Sequence, residues 1–119
     1  MAQHNDLGKK GELLAVEILQ KKGYKIIERN WRFKKAEVDI IAQKNEVLAI
    51  VEVKTRSSNY FGNPQDFVNP KKIKLLVEAV DEYVNSKELY VEVRFDIIAI
   101  TKQGDNVKIE HLEDAFLHF

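Results

Sequence analysis

Near the start of the chain, apolar residues recur at helical spacing: Leu7, Leu14, Ala15, Ile18 and Leu19 make one stripe, and Gly23 stands where a helix stops. With Asp6 as its cap, this pattern predicts a first helix running to about Lys22. Tyr24 to Phe33 is rich in Tyr, Ile, Trp and Phe and reads as a strand; Lys34 and Lys35 turn it into a second strand, Glu37 to Ala42. After a turn over Gln43 to Glu46 comes a third strand, Val47 to Thr55. Its residues Leu48 to Val51 are apolar on both faces, as a central strand requires. Arg56 to Asn69, with its Ser, Asn, Gly and Pro64, reads as a loop. Asn69 and Pro70 supply a cap and a first-turn proline for a second helix. Its stripe of Ile73, Leu76, Val77, Val80, Tyr83 and Val84 ends near residue 85. Leu89 to Ile100 is a long strand with Val91, Val93, Phe95, Ile97 and Ala99 on one face, and Gly104 to Asn106 turns it into a weaker strand, Val107 to Leu112.

The order αβββαββ predicts an α/β fold of three layers, a mixed central sheet flanked by helices, with antiparallel hairpins and a parallel crossover through the second helix. At 119 residues and 45% hydrophobic content, one domain over residues 1–119 with its own core is expected, without internal repeat or linker. Cysteine is absent, which removes disulfides, thiolate zinc sites, iron–sulfur clusters and cysteine nucleophiles. The amino-terminal residues lack an apolar leader core. The longest aliphatic run, Val47 to Val51, is far short of the ~20 residues that span a bilayer, so a cytoplasmic protein that avoids the membrane is expected. Net charge is zero but unevenly spread: through Lys74 there are 15 Lys and Arg against 9 Asp and Glu, and beyond it 4 against 10. A basic face on the first two thirds suits a polyanion such as nucleic acid; intermixing of the charges on folding is the alternative.

Polar residues interrupt this apolar neighbourhood at Glu37, Asp39, Glu52 and Lys54. With the hairpin centred between Lys44 and Asn45, Glu37 would face Glu52, Asp39 would face Ile50, and Glu52 would lie diagonal to Asp39; all four would project from one face. A register slip of one residue would destroy the arrangement. Carboxylates ~5 Å apart repel by roughly 3 kcal/mol at an effective dielectric of 20, so something must offset them. A hard divalent cation held by oxygen ligands, Mg²⁺ or equally Mn²⁺, is the natural candidate. Lys54 would orient the attacking water and neutralise charge developing on a phosphate, which makes phosphodiester hydrolysis the chemistry these residues suit best. A solvated ion pair is the plainer reading of Glu52 and Lys54, but a charge in the most apolar strand is costly and commonly marks a site.

Glu12 lies on the border of the first helix's stripe and, by itself, reads as a surface carboxylate, as does Glu17. Arg29, Arg32, Lys34, Lys35, Arg56, Lys71, Lys72 and Lys74 are candidate phosphate contacts, each more simply a solvated cation. Core or loop anchoring is favoured over base stacking for Trp31 and Tyr60. His4, His111 and His118 lack metal-ligand spacing and are assigned no role. Asp96 either adds to the site or, more simply, pairs with Arg94. The closing residues Ala115 to Phe119 are expected to pack on the core, with a dimer contact the lesser reading.

Asp39 with Glu52, Val53 and Lys54, behind a helix bearing Glu12 and ahead of a second helix, resembles the PD-(D/E)xK (restriction endonuclease-like) superfamily, whose core is αβββαβ. More closely, Gly8 to Glu12, Gly23 and Tyr24, Arg29 to Arg32, Glu37 to Ala42, Val51 to Arg56, Phe61 and Gly62, Lys72 and Arg94 to Ile97 resemble the uncharacterised bacterial YraN-type family, which is similar to archaeal Holliday junction resolvases. The resemblance runs over nearly the whole chain. It implies Asp39 and Glu52 as metal ligands, Lys54 as the catalytic lysine, Glu12 as an assisting carboxylate, and the main-chain carbonyl of Val53 as a further ligand, with Glu37 secondary. Ala36 stands where that family usually has Gly, which bears on local backbone geometry and not on chemistry.

The expected function is therefore a divalent-metal-dependent endonuclease acting on DNA, branched or damaged DNA included, with Arg32, Arg56 and Lys72 as nucleic-acid contacts. RNA would satisfy the same contacts, and resolvase-like action would favour a two-fold homodimer. Two other readings stand beside it: a nucleic-acid-binding module without turnover, and a protein-interaction factor using the acidic second part of the chain.

Overall fold

The computed structural model describes residues 2–57 and 69–115, the side chains of residues 2–7 excepted. The elements follow in the expected order: α1 (Ala2–Lys21), β1 (Lys25–Phe33), β2 (Ala36–Lys44), β3 (Val47–Ser57), α2 (Pro70–Ser86), β4 (Glu92–Gln103) and β5 (Asn106–Leu112). Most of the expected loop, with Tyr60, and the tail after Ala115 lie outside the described residues.

Helix α1 begins at Ala2, so Asp6 lies inside it and does not cap it. Neither proline nor glycine stands among residues 2–7 to stop the helix from extending upstream. Its other end is as expected. Gly23 takes φ 96°, and the Gly23 and Tyr24 N–H groups donate to Gln20 and Leu19 carbonyls, satisfying the last turn through a left-handed cap. In α2, Asn69 Oδ1 accepts the Lys72 N–H at 2.8 Å and Pro70 opens the helix, again as the sequence predicts.

The sheet runs β1-β2-β3-β4-β5, with only β3 and β4 parallel, joined through α2. Helix α1 covers one face: Ala15 and Leu19 pack with Ile40, Ala42, Ala49, Val51, Ile98 and Ile100. Helix α2 covers the other, where Leu76, Val80 and Tyr83 pack with Val38, Ile41, Leu48, Ile50 and Phe95. Adjacent β3 residues thus serve opposite cores, which explains the unbroken apolar run Leu48 to Val51. Burial of Leu48, Ile50 and Val51 contributes ~1.5–3 kcal/mol each. Trp31 meets Tyr83 edge-on, with ring centroids 5.1 Å apart, and so serves the core. No described helix is long and apolar enough to cross a membrane.

Two local features differ from expectation and shape the site. The β2–β3 ladder pairs Ile40 with Val51 and Lys44 with Val47, so the turn is Asn45–Glu46, one position later than expected. Asn45 takes φ 55°, a left-handed conformation that Asn accepts more readily than Lys. Partners therefore shift by two: Ile41, not Asp39, faces Ile50, and Glu37 does not face Glu52. Because side chains repeat every two residues, that shift keeps each residue on its predicted face. The second feature breaks this regularity. Val38 packs with the α2 core and Ile40 with the α1 core, although they are two residues apart in one strand. Asn30, between the Arg29–Ile40 and Trp31–Val38 pairs of the adjoining ladder, takes φ 52°. Alternation is thus interrupted at Asp39, yet Glu37, Asp39 and Glu52 still line one cavity, as expected of residues on one face. Glu37 sits at the rim of two depressions.

Candidate active site

Beyond the Ile40–Val51 pair, the described β2–β3 ladder ends, and the Val53 N–H donates instead to Asp39 Oδ2 at 2.7 Å. A side chain thus takes over where the backbones stop pairing, and Asp39 is fixed beside Glu52. The cavity here, of about 320 Å³, is lined by Lys35, Ala36, Glu37, Asp39, Glu52 and Lys72, with Leu75 and Leu76 as its apolar wall. Three elements therefore meet: β2 and β3 bring the carboxylates and α2 brings Lys72, while α1 places Glu12 in the neighbouring groove, near enough for its charge to act on Asp39.

Gly11 explains that placement. A Cβ there would collide with Thr55 Oγ1 of β3, so only glycine lets α1 lie this close to the strand. Glu12 follows immediately. Its Oε1 is buried and has no hydrogen-bond partner among the described residues. An orphaned carboxylate oxygen is costly, and its neighbourhood explains what it lacks. Asp39 is pushed up to about 7, first by burial and then by the charge of Glu52, with Glu12 adding to it; the Val53 N–H and Lys72 pull the other way. The Asp39 carboxyl thus feels two other carboxylates, Glu52 more strongly than Glu12.

Glu52 has found a counter-ion, accepting from Lys72 Nζ at 2.6 Å. Among the described residues, no three carboxylate or imidazole groups already converge as a cation site. The donor set nevertheless suits a hard cation: it is all oxygen, the Glu12 oxygen is orphaned among the described residues, the Asp39 pKa is raised to about 7, and the balancing charge on Glu52 comes from a lysine.

The remaining predicted residues are distributed around this centre. Lys54 is half-buried on β3, two residues beyond Glu52, and is not among the described residues lining the cavity. Val53 contributes its N–H to Asp39. Glu37 pairs with exposed Arg32 at 3.3 Å, on the border of a second, shallower groove of about 700 Å³ that also holds Lys9, Glu12 and Arg29. Arg56 Nε donates to Thr101 Oγ1 at 3.2 Å, further along β3. Of the three basic residues singled out for nucleic acid, Lys72 is in the cavity, Arg32 flanks it and Arg56 lies beyond it.

Asp96 does not add to the site. It is fully buried within a separate network. Arg94 donates to both its oxygens at 2.8 Å, His111 Nε2 lies 2.8 Å from Oδ2, and the Asp114 N–H donates to Oδ1 at 3.1 Å. Burial alone would raise its pKa, but the hydrogen bonds from His111, Arg94 and Asp114 and the Arg94 charge hold it below the usual carboxylate range. The pairing with Arg94 is therefore the correct reading. His111, which was assigned no role, has a structural one: Lys22 Nζ faces its Nδ1 at 2.8 Å, which assigns the proton to Nε2 and points it at Asp96. Its signal in the sequence was the β4–β5 hairpin, which sets His111 opposite Ile98, two residues from Asp96.

A family model described as "Uncharacterised protein family UPF0102" matches residues 11–100, a span that holds Gly11, Glu12, Asp39, Glu52, Lys54 and Lys72. The chain belongs to this UPF0102 family. A UPF0102 protein of Flavobacterium psychrophilum is 68% identical over 119 residues, covering the whole of both chains. Another, of Flavobacterium johnsoniae, is 62% identical over 123 residues, again covering both chains fully. A UPF0102 protein of Bacteroides thetaiotaomicron is 47% identical over 116 residues, covering 98% of this chain and 96% of its own. The expectation of an uncharacterised bacterial family is met at that level.

Proposed function

We propose that this UPF0102 protein is a divalent-cation-dependent endonuclease of the bacterial cytoplasm that hydrolyses phosphodiester bonds in DNA, with branched or damaged DNA as the substrate class to test first. One observation carries the reading: Asp39 and Glu52 line one cavity with Lys72 where the β2–β3 ladder ends, Asp39 feels the charges of Glu52 and Glu12, and Lys54 follows Glu52 by two residues. A fold that gains nothing from such an arrangement retains it where chemistry needs it. The order αβββαββ, with the carboxylates on the second and third elements of the sheet, agrees with what the PD-(D/E)xK resemblance implies.

Asp39, Glu52 and Glu12 would hold the cation, and Mg²⁺ or Mn²⁺ would supply Lewis acidity at the phosphoryl oxygen. Asp39, fixed through Oδ2 by the Val53 N–H, lines the cavity. Lys54 orients the attacking water and stabilises charge on the phosphate, a contribution worth ~10²- to 10⁴-fold in rate. Lys72, Arg32 and Arg56 hold the phosphates on either side of the scissile bond and make affinity fall with salt.

A second reading, a nucleic-acid-binding module without turnover, is favoured by one observation: no three ligands among the described residues stand ready as a cation site. Labelled linear duplex, single-stranded and four-way-junction DNA, incubated with Mg²⁺, Mn²⁺ or EDTA, separate the two. Cutting that EDTA abolishes supports the nuclease; salt-sensitive binding without cutting under any cation establishes the module in its place.

A further inference from the structure

The Lys72–Glu52 pair does more than neutralise a charge. Lys72 Nζ lies 2.6 Å from Glu52 Oε1, and Glu52 is the more buried of the two, its side chain 16% exposed against 39% for Lys72. A hard divalent cation binds carboxylate oxygen at ~2.0–2.1 Å, so it and an ammonium group at 2.6 Å compete for the same oxygen. The backbone of Lys72 is pinned by the Asn69 cap in the first turn of α2, while its ammonium end reaches the open cavity. Only the side chain has to move. A lysine released at this position remains within the cavity that would take the scissile phosphate.

Resting on the reading that these carboxylates bind a hard cation, we infer that Lys72 is an exchangeable counter-ion: it occupies Glu52 until a divalent cation binds, and its release couples cation binding to phosphate capture. Cation and phosphate affinities then rise together, because each favours the state in which Lys72 has left Glu52. Lys72 is a positioning residue in this scheme, acting on the cation through Glu52.

Mn²⁺ binding to the full chain, measured by the electron paramagnetic resonance of the free ion, tests the exchange without reference to cleavage. Lys72→Met removes the competing ammonium and keeps the stem, and Lys35→Met removes an equal charge from the same cavity wall. The expected result is Mn²⁺ binding tighter on the order of fivefold for Lys72→Met, with Lys35→Met within about twofold of wild type. In the wild type, Mg²⁺ should also shift the ¹⁵Nζ resonance of Lys72. Equal gains for both variants, or weaker binding by Lys72→Met, together with an unmoved Lys72 resonance, would overturn the exchange and leave the nuclease reading intact if the wild type binds Mn²⁺ and cuts. Millimolar Mn²⁺ that binds none of the three proteins would overturn both.

Discussion

Asp39→Asn should make this protein more stable. In the fold, the Asp39 carboxyl is held at about 7 against an ordinary value of 3.8, by burial first and the Glu52 charge next. The sign follows directly. A folded-state pKa raised above the unfolded one means that the native state binds the proton more tightly, so stability falls as pH rises from about 4 to about 7. At pH 8 the full cost of ionising Asp39 in place is about 4 kcal/mol, and at pH 5 less than half of that. Part of the cost is shared with Glu52 and Glu12, which leaves about 2 kcal/mol as the expected gain at pH 8. Asn removes the charge and retains an oxygen to accept the Val53 N–H, so the structural bond survives. For a domain of this size, about 2 kcal/mol is a melting-temperature increase of roughly 6–12 °C. Thermal unfolding of both proteins at pH 5 and pH 8 in EDTA checks this, with a repeat in millimolar Mg²⁺. The variant should melt higher at pH 8, with a much smaller difference at pH 5, and Mg²⁺ should stabilise only the wild type. A variant that melts lower at pH 8, or a difference independent of pH, would refute the reasoning.

Two further predictions concern the supports of the site. Gly11→Ala should destabilise by about 1–3 kcal/mol, because the new Cβ meets Thr55 Oγ1, and Thr55→Ala in the same chain should recover most of the loss in urea unfolding. Asp96→Asn takes the fully buried carboxylate from half-buried Arg94, which keeps only its longer contact to Glu113 at 3.5 Å, and should cost about 1.5–3 kcal/mol near neutral pH. Since Asp96 is held below its ordinary value, its contribution is present in full above pH ~4 and is lost on further acidification. The wild-type advantage should therefore be flat between pH 6 and 8 and shrink below pH 4, opposite in sense to the Asp39 effect.

Periodicity records burial, and whatever depends on burial alone was legible in the chain. The α2 stripe, the doubly buried Leu48 to Val51 and the three layers follow from it. The β2–β3 register was not legible, because it depends on which turn residue takes the left-handed conformation, and Asn45 does so one position later than the turn signals suggested. An error of two residues spares the faces, which is why Asp39 and Glu52 were still correctly brought together. The interruption opposite Asn30 involves two strands at once and leaves no mark in either alone. Glu12 looked like a surface carboxylate because the close approach that buries its oxygen depends on Gly11 meeting Thr55, 44 positions away. The Lys72–Glu52 and His111–Asp96 pairs likewise join residues 20 and 15 positions apart, separations that periodicity does not report.

Asp39, Glu52 and Lys54 are proposed to carry phosphodiester hydrolysis. Single-turnover cleavage of a labelled four-way junction in Mg²⁺, comparing wild type with Asp39→Asn and Lys54→Ala at matched purity and verified folding, tests it most directly. The expected result is EDTA-sensitive cutting by the wild type, and a rate lower by ~10²-fold or more in each variant. Cutting that survives both substitutions would contradict it.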